Sequence, residues 1–347
     1  MSEVASVVDV TCVVVSYNTR EITLACLRSF VEELGGLSAD LVVVDNDSND
    51  GSVEAIEALF DSMSAPGLTV KLIASEENLG FGAACNLGAM DARGRYVLML
   101  NPDTVVLDRG VEKLVAFARS HPEARMWGGR TLHLDRTLNP ASAWAKPTIW
   151  SSLCCALGLA SKFEKSALLN PEGYGGWARD TVKEVDIVSG CFMLVERLLW
   201  EELGGFHPDF WMYGEDADIS LRARATGARP LIDPGSEIVH IGGASERVRE
   251  DQMVRLFKGK AQLYAKFAGP LTGWIELRCL DLWALIRAGL LSGAGLVLSG
   301  KSESASAWRG IFARRGEWRA AYRDTERYAR TEKAPASRSH RSAEGTL

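Results

Sequence analysis

Residues 1–120 alternate between short apolar runs and amphipathic segments, and this alternation limits the fold more than any other feature of the chain. The apolar runs are rich in valine and leucine and predict buried strands at residues 10–16, 41–44, 69–74 and 96–100. The segments after them have helical apolar spacing at residues 19–34, 52–63, 81–92 and 110–120. Elements in this order form right-handed crossovers, so we predict an α/β fold with a mainly parallel, Rossmann-like sheet flanked by helices.

Polar residues follow three of the predicted strands, at the point where each strand ends. They are Ser16-Tyr17-Asn18, Asp45-Asn46-Asp47-Ser48 and Asn101-Pro102-Asp103. Open parallel sheets bind their ligands beyond the carboxyl ends of the strands. We therefore expect these three segments to meet at one edge of the sheet and to form a binding site there.

The second half of the chain has a weaker pattern. Prolines, glycines and tryptophans between residues 130 and 180 predict a loop-rich stretch. Regular structure returns with a strand-like run at residues 185–195 and a helix after it. A further helix is predicted at residues 216–225, and short strands near residues 230–232 and 237–241.

The C-terminal part differs in composition from the rest. Residues 271–298 are strongly apolar but contain four charged side chains, Glu276, Arg278, Asp281 and Arg287. The uncharged run after Arg287 is shorter than the roughly 20 residues that span a membrane, so we predict a buried or interfacial helix. Residues 308–330 interleave arginines with aromatic side chains, a pattern that suits an anionic membrane surface. The polar residues 331–347 predict a disordered tail.

Composition narrows the classes of function. The 347 residues, 47% of them apolar, are enough for one large domain or two modest ones. A net charge of -6 argues against nucleic-acid binding. The seven cysteines include no CxxC pair, which indicates reduced thiols in a cytosolic setting. The N-terminus lacks the basic start and apolar core of a signal peptide.

Asp103 is the first candidate ligand-binding residue. It follows the predicted strand at residues 96–100 and Pro102, which ends that strand and fixes the turn. A carboxylate in this position suits a divalent cation, because Mg²⁺ typically takes one or two carboxylates together with substrate phosphates. The same residues are also typical of a plain β-turn, so the sequence alone leaves both interpretations open.

Two other segments have a binding interpretation and a structural one. Asp45 and Asp47 could bond a base or a ribose, while Ser48 and the residues after it could form a turn and a helix cap. The segment 77–82 joins a strand to a helix, and its glycines allow a close backbone approach to an anion. A tight connection between the two elements explains those glycines as well.

The acidic cluster Glu215-Asp216-Ala217-Asp218 is the sharpest feature of the sequence. The helix macrodipole accounts for one or two acids at a helix start. It does not account for three acids behind an apolar approach that includes Trp211. A carboxylate at a helix start with aromatic neighbours suits a general base. We therefore expect the cluster to border a pocket.

His240 closes a strand-like segment near the end of the predicted sheet. A lone histidine is more often structural than a ligand. If the sheet brings His240 close to Asp103, however, its imidazole becomes a candidate second metal ligand.

Together these segments resemble the family 2 glycosyltransferases of the GT-A fold, in particular their rhamnosyltransferase-like branch. The resemblance runs from residue 11 to residue 243, which is about two thirds of the chain. It depends on six segments that follow one another in the family's order, at residues 15–18, 44–48, 78–81, 100–103, 189–190 and 205–218. Their order is far more specific than any one of them.

The resemblance implies a role for each candidate residue. The predicted nucleotide-sugar-binding residues are Ser16, Tyr17, Asn18, Asp45, Asp47, Asn78, Gly80, Phe81 and Asn101. Asp216 is the implied catalytic base, and Glu215, Asp218 and Trp211 are implied to orient the acceptor or its loop. Asp103 and His240 are the implied metal ligands. Asn101 stands where the family's Asp-x-Asp motif has its first acid, which weakens the expected metal binding.

The resemblance also implies a reaction, that of an inverting hexosyltransferase assisted by Mg²⁺ or Mn²⁺. The first donor we expect is dTDP-rhamnose, with a UDP-sugar as the alternative. The implied acceptor is a hydroxyl of a lipid-linked sugar or a polysaccharide in cell-envelope glycan synthesis. We expect a peripheral protein on the cytoplasmic side of the membrane, without nucleic acid as a partner, and a homo-oligomer is compatible with this picture.

We expect three regions in the chain. A catalytic domain at residues 1–265 would have a nucleotide-sugar half at about 10–125 and an acceptor half at about 126–265. A membrane-associating helical extension at 266–330 and the tail at 331–347 would follow.

Two other classes of function stay open from the sequence. A sugar-nucleotide pyrophosphorylase usually has a glycine-rich basic loop after its first strand, whereas residues 17–20 contain no glycine. A non-catalytic nucleotide-sugar-binding scaffold on the membrane would have no need of the acids Asp103, Glu215 and Asp216.

Overall fold

The structure is a computed structural model that describes residues 8–242, 249–295 and 302–333. Most of the predicted disordered tail, residues 334–347, lies outside the described residues, whereas residues 331–333 end a helix. Residue 243, at the end of the resemblance, and residues 296–298 of the apolar stretch also lie outside them.

The first hundred residues form four parallel strands with helices between them. The elements are β1 (Val10–Ser16), α1 (Arg20–Glu32), β2 (Ala39–Asn46), α2 (Ser52–Ser62), β3 (Leu68–Ser75), α3 (Phe81–Ala89) and β4 (Tyr96–Leu100). The strands lie in the order β3-β2-β1-β4, and each neighbouring pair is parallel. β1 and β4 have their predicted bounds. β2 is longer than predicted and includes Asp45 and Asn46 at its carboxyl end.

The next part of the chain extends the same sheet with antiparallel pairings. Its elements are β5 (Thr104–Leu107), α4 (Gly110–Ser120), β6 (Met126–Leu132), β7 (Ala143–Trp144), α5 (Ile149–Ala156), α6 (Leu159–Lys162), β8 (Lys183–Glu184), β9 (Ile187–Val188), β10 (Phe192–Glu196), α7 (Arg197–Leu203), α8 (Glu215–Ala225) and β11 (Leu231–His240). β10 lies antiparallel between β4 and β6, and β11 follows on the far side of β6. Within the described residues, the nine-stranded sheet is therefore parallel in its first half and mixed in its second.

Four local predictions differ from the structure. The strand-like run predicted at residues 185–195 is two strands, β9 and β10, which belong to different sheets. β5 was not predicted as a strand, and it pairs antiparallel with β11. The two short strands predicted near residues 230–241 are one strand, because the pairing with β6 continues across an irregularity between Asp233 and Glu237. Residues 130–180, predicted to be loop-rich, contain α5, which begins at a capping box formed by Thr148 and Ser151. Most of α5 is apolar, so its sequence lacks a polar face to mark it as a helix.

Apolar layers cover both faces of the sheet. On one face α1 and α4 contribute buried side chains such as Phe30 and Leu114. On the other face α3, α7 and α8 contribute a second cluster that includes Trp200. α3 lies unusually close to the sheet, because a Cβ at Gly88 would come within 2.5 Å of a methyl carbon of Val13. These layers fix the strand ends where the predicted binding residues lie.

The C-terminal helices build a third apolar core. They are α9 (Arg249–Phe267), α10 (Pro270–Gly295), α11 (Ser302–Ala313) and α12 (Arg315–Lys333). This core contains Phe257, Tyr264, Leu280, Trp308, Ile311, Trp318 and Tyr322. Trp308, Trp318 and Tyr322, which the sequence pattern assigned to a membrane surface, are therefore buried inside a helical bundle.

Two arginines of the same segment bind carboxylates within the bundle, whereas Arg309, Arg323 and Arg327 are exposed. Arg314 lies 2.5 Å from Asp251, and Arg319 lies 2.9 Å from Asp281. None of the helices in the described part of the chain combines the length and the apolar character that a membrane span needs. Contact of residues 266–330 with a membrane stays a prediction.

Replacement of Trp318 tests whether α10–α12 form a core of their own. Trp318 is fully buried against Phe257 and donates a hydrogen bond of 3.1 Å from Nε1 to Asp281. We expect Trp318→Ala to lower the free energy of unfolding by about 3–5 kcal/mol in urea denaturation followed by circular dichroism. Trp274→Ala, at a side chain that is 54% exposed, is the matched control and should cost less than about 1 kcal/mol. Equal losses in the two variants would contradict the packing described.

Candidate active site

One cavity of about 800 Å³ lies beyond the carboxyl ends of β1, β2 and β4. The nine predicted site residues that line it are Tyr17, Asn78, Phe81, Asn101, Asp103, Trp211, Glu215, Asp216 and His240. The other six, Ser16, Asn18, Asp45, Asp47, Gly80 and Asp218, are not among the described residues that form its wall. The cavity thus brings together the ends of three strands and the acidic cluster of α8.

The end of β2 holds a turn, and only one of its polar side chains reaches the cavity. Asp45 is buried and accepts a hydrogen bond of 2.9 Å from the backbone N–H of Ser48. The Ser48 hydroxyl accepts one of 2.8 Å from the backbone N–H of Asn18. Asp47 is exposed with a positive φ of 71°. The hydrogen bonds of Asp45 and Asn18 therefore agree with the turn that the sequence allowed for this segment. The contact of these two residues with a nucleotide stays a prediction.

Asn46 is the residue of this segment that lines the cavity, and it was not among the predicted site residues. Its side-chain amide donates a hydrogen bond of 3.0 Å to Asn78 Oδ1 and accepts one of 2.9 Å from the backbone N–H of Leu79. These bonds attach the end of β2 to the turn before α3. Ser16, by contrast, is fully buried and accepts a hydrogen bond from Thr23, so it supports the strand end from behind.

The turn at Gly80 holds the loop that precedes α8. Gly80 has a φ of 80°, and a Cβ there would clash with the carbonyl oxygen of Trp211. The backbone N–H of Phe81 donates a hydrogen bond of 2.9 Å to that same oxygen. Glycine is thus required at position 80 for two reasons. The turn has a positive φ, and the carbonyl oxygen of Trp211 lies too close for a Cβ.

Asp103 and His240 lie side by side, as expected for two groups of one site. Thr104 pairs with His240 where β5 and β11 run antiparallel, so the sheet places the two neighbours together. Nε2 of His240 lies 3.4 Å from Oδ1 of Asp103, and Oδ2 of Asp103 accepts a hydrogen bond of 2.9 Å from the backbone N–H of Gly242. Asn101 Nδ2 lies 3.4 Å from the same imidazole nitrogen.

This pair fits a divalent cation only with help from a substrate. Among the described residues, no group of three or more histidine, cysteine, aspartate or glutamate side chains could hold a metal ion alone. One carboxylate and one imidazole are compatible with Mg²⁺ or Mn²⁺ when phosphate oxygens complete the coordination. Burial disfavours the charged imidazolium, yet its neighbours Cys191 and Asp103 stabilise it and raise the pKa of His240 to about 10. A metal would therefore have to displace a proton from His240.

Asp216 points toward β10 from the first turn of α8. Its Oδ2 accepts a hydrogen bond of 3.2 Å from the backbone N–H of Gly190, and its Oδ1 accepts one of 2.8 Å from the N–H of Ala217. Burial raises the pKa of Asp216 above its ordinary value, while these two N–H groups act in the opposite direction. The carboxylate is thus held in one orientation at the cavity wall and has more basicity than an exposed aspartate.

The other two acids of the cluster have different surroundings. Glu215 is buried, and its Oε2 has no hydrogen-bond partner in the part of the chain that the structure describes. Burial and the neighbouring Asp216 carboxylate raise the pKa of Glu215 to about 8. Asp218 is completely buried behind the wall, where Arg222 Nε and Lys266 Nζ each lie 2.7 Å from one of its oxygens. Of the two roles predicted for Asp218, acceptor binding or loop support, the geometry fits the second.

The far end of the cavity consists of residues that sequence reasoning missed. α9 lines it with Gln252, Arg255, Leu256, Lys260 and Leu263, which recur at helical spacing on one side of the helix. Lys260 forms an ion pair with Glu172, in the stretch predicted to be a loop. Arg255 lies 5.0 Å from the ring centre of Trp211. The spacing in α9 was a usable signal, but neither this helix nor a site on it was predicted from the sequence.

Comparison with known proteins decides the family. The model of glycosyl transferase family 2 matches residues 11–202, more than half of the chain. The chain belongs to glycosyl transferase family 2. The predicted family and the predicted enzyme class, a glycosyltransferase of the hexosyltransferase type, are therefore confirmed.

Two curated relatives of this family 2 glycosyltransferase illustrate the likeness. A succinoglycan biosynthesis protein, ExoO, of Rhizobium meliloti is 31% identical over 271 residues, which are 75% of this chain and 69% of that protein. An N-acetylglucosaminyl-diphospho-decaprenol L-rhamnosyltransferase of Mycobacterium tuberculosis is 24% identical over 218 residues, which are 58% of this chain. The matched part spans 66% of that rhamnosyltransferase, slightly less than two thirds of its length.

A solved structure supports the predicted GT-A fold of the family 2 glycosyltransferase. A mannosyltransferase of Pyrobaculum calidifontis, in complex with GDP-Man and Mn²⁺, has a TM-score of 0.55 at 18% sequence identity. The likeness covers 92% of this chain and 88% of that one, and at this identity it shows the fold alone.

Replacement of Glu215 tests its protonation. Because folding raises its pKa from 4.5 to about 8, the stability contributed by protonated Glu215 is fully present below about pH 4.5 and is lost as the pH rises through about 8. Glu215→Gln retains the shape of the side chain and cannot ionise. We expect the free energy of unfolding of this variant, relative to the unchanged protein, to increase from about pH 5 to about pH 8 in urea denaturation. A difference that stays constant over this range would show that Glu215 is not buried as described.

Proposed function

We propose that the protein is an inverting glycosyltransferase that moves a sugar from a nucleoside diphosphate sugar to an acceptor hydroxyl. The observation that carries the proposal is that Asp216 and Asp103 line the same cavity at the carboxyl edge of the sheet. Family membership supplies the reaction class, and this cavity has room for a sugar nucleotide together with part of an acceptor.

The donor would occupy the end of the cavity formed by the first strands. Tyr17, Asn46 and Asn78 line that end and offer hydrogen-bonding groups for a base and a ribose. The ordered bonds between Asn46, Asn78 and Leu79 would keep this surface rigid before the donor binds. Ser16, Asn18, Asp45, Asp47 and Gly80 would support it from outside the wall.

Asp216 would act as the base. Its carboxylate takes the proton of the acceptor hydroxyl while the oxygen forms a bond to the anomeric carbon, and the bond from that carbon to the diphosphate breaks. A single displacement inverts the anomeric centre and leaves the nucleoside diphosphate as the second product. The two backbone N–H groups on Asp216 hold the carboxylate in place during proton transfer.

A divalent cation would stabilise the leaving diphosphate. Asp103 and His240 are the residues that would hold it, with phosphate oxygens of the donor as further ligands. When bound, it would supply positive charge where the leaving group gains negative charge. The Mn²⁺ in the mannosyltransferase complex supports a metal in this fold. Asn101 contributes an amide in place of the family's first acid.

For the sugar and the acceptor, the relatives' names are the support. The mycobacterial relative is named for rhamnosyl transfer to a lipid-linked sugar, and ExoO for polysaccharide biosynthesis. We infer that dTDP-rhamnose is the first donor to test, with UDP-sugars second. The acceptor would be a lipid-linked or polysaccharide hydroxyl in cell-envelope glycan synthesis, reached from a peripheral position on the cytoplasmic face of the membrane.

Replacement of Asp216 tests the proposed base. We expect Asp216→Asn to lower kcat by at least about a hundredfold, because the amide cannot accept the proton. Nucleoside diphosphate released from dTDP-rhamnose or a UDP-sugar in the presence of Mg²⁺ or Mn²⁺ would measure this loss. The affinity for the nucleoside diphosphate alone should not change. Asp61→Asn, at an exposed position on α2, is the matched control. Normal turnover by Asp216→Asn would refute the assignment, and nucleotide binding without transfer to any acceptor would favour the scaffold alternative.

Replacement of Asp103 tests the proposed metal ligand. Asp103→Asn removes the one carboxylate of the pair, so the concentration of Mn²⁺ at half-maximal activity should rise by about tenfold or more. The measurement is a Mn²⁺ titration at saturating donor, with a parallel titration of Mn²⁺ binding by calorimetry in the presence of the nucleoside diphosphate. An unchanged Mn²⁺ requirement in both titrations would exclude Asp103 as a ligand.

A further inference from the structure

Two neighbouring helices present apolar side chains on the outside of the molecule. On α5 the exposed residues are Ile149, Trp150 and, directly after the helix, Leu157. On α10 they are Leu271, Trp274 and Leu285, which are 71%, 54% and 49% exposed. On α5 these positions and the half-buried Leu153 are related by steps of three and four residues. On α10 Leu271 and Trp274 are three residues apart, and the half-buried Arg278 and Leu282 lie between Trp274 and Leu285.

α5 and α10 lie next to each other, and both pack on α9. The Ser152 hydroxyl of α5 lies 3.3 Å from the hydroxyl of Tyr264, and Gly273 of α10 packs against the backbone carbonyl of the same Tyr264. α5 also packs along α10, where Arg287 donates a hydrogen bond of 3.4 Å to the carbonyl of Ala156. We call the exposed apolar side chains of these two neighbouring helices the α5–α10 face: Ile149, Trp150, Leu157, Leu271, Trp274 and Leu285.

Cations border this face and lie beside its aromatic rings. Arg278 lies 5.8 Å from the ring centre of Trp274 and forms an ion pair of 2.9 Å with Asp281. Lys162 lies 5.5 Å from that of Phe163, which follows α6 and is itself exposed. Lys165 is a further exposed cation in this segment, beside the single acid Glu164. Aromatic rings with lysine and arginine at their edges match the boundary between lipid headgroups and acyl chains.

The same elements line the far end of the active-site cavity. Cys155 of α5 and Ser161 of α6 belong to its wall, as do Trp283 and Arg287 of α10. The α5–α10 face and the far end of the cavity are thus two sides of one pair of helices. A ligand anchored in a lipid layer on the outer side of α5 and α10 would need to pass only the edge of these two helices to enter the cavity.

We propose that the α5–α10 face docks on an anionic lipid surface. The reason for such docking rests on the proposed function: a lipid-linked acceptor in that lipid surface would have its sugar beside the cavity. The basic rim favours anionic lipid over a second copy of the chain, because an isologous contact would bring one basic rim against another. The docking site differs from the basic and aromatic segment at residues 308–330, where Trp308, Trp318 and Tyr322 lie inside the bundle.

Vesicle flotation of the full chain, without donor or acceptor, tests the proposal. The chain should float with vesicles of phosphatidylcholine and phosphatidylglycerol, and much less with phosphatidylcholine alone. The double variant Trp150→Ser/Trp274→Ser should reduce the bound fraction about tenfold, because both anchoring rings are lost. Leu134→Ser/Leu198→Ser is the matched control at residues that are 71% and 60% exposed elsewhere, and it should bind as the unchanged chain does.

Several results would overturn the proposal. Equal loss in the control pair, or binding that does not weaken with salt, would show that the face and its cations do not carry the interaction. A dimer in analytical ultracentrifugation that the double variant dissociates would assign the face to a second copy. Circular dichroism and nucleoside diphosphate affinity report whether the double variant is folded. Because flotation uses no substrate, a chain that floats and yet releases no nucleoside diphosphate would refute the proposed function alone.

Discussion

The position of Asp216 depends on how the loop before α8 is clamped. On one side Gly80 and the N–H of Phe81 meet the carbonyl of Trp211. On the other side Gly259 of α9 packs against the carbonyl of Tyr213, where a Cβ would clash. The loop itself turns through positive φ values at Tyr213 and Gly214, of 69° and 99°. The nucleotide half, the acidic cluster and the C-terminal helices therefore meet at one short loop, and a shift of any of them would move the carboxylate.

Three acids within four residues can fold at the start of α8 because their surroundings separate their charges. Asp218 is neutralised by Arg222 and Lys266. Burial raises the pKa of Glu215 to about 8, so this side chain is mostly protonated near neutral pH. Asp216 faces the cavity, and the helix N-terminus and the N–H of Gly190 stabilise the charged form of its carboxylate. This division of charge explains how a cluster that would repel itself in water becomes a single poised carboxylate.

The sequence predicted most accurately those helices and strands that have a regular apolar pattern, and the polar residues at the strand ends. The bounds of β1, β4 and α4 are as predicted, because buried apolar runs and an amphipathic helix leave clear local signals. Asn46 was missed as a cavity residue because one residue of register decides whether a strand-end side chain faces a pocket or a turn. Glu172 and Lys260 were missed for another reason. They are far apart in the chain, and the helical spacing of α9, although a usable signal for Lys260, does not record that this helix packs beside Glu172.

The family match ends at residue 202, yet much of the cavity wall lies beyond it. Asp216 and His240 come from the next forty residues, and α9 closes the far end. A wall built from the later part of the chain can change its side chains without disturbing the parallel strands that form the donor end. The C-terminal helices cannot be independent of the site, because Lys266 balances Asp218 and Gly259 holds Tyr213. Since α5 and α10 both pack on α9, an apolar outer side on those two helices would connect the surface on which the protein docks, through α9, to the geometry of its carboxylate.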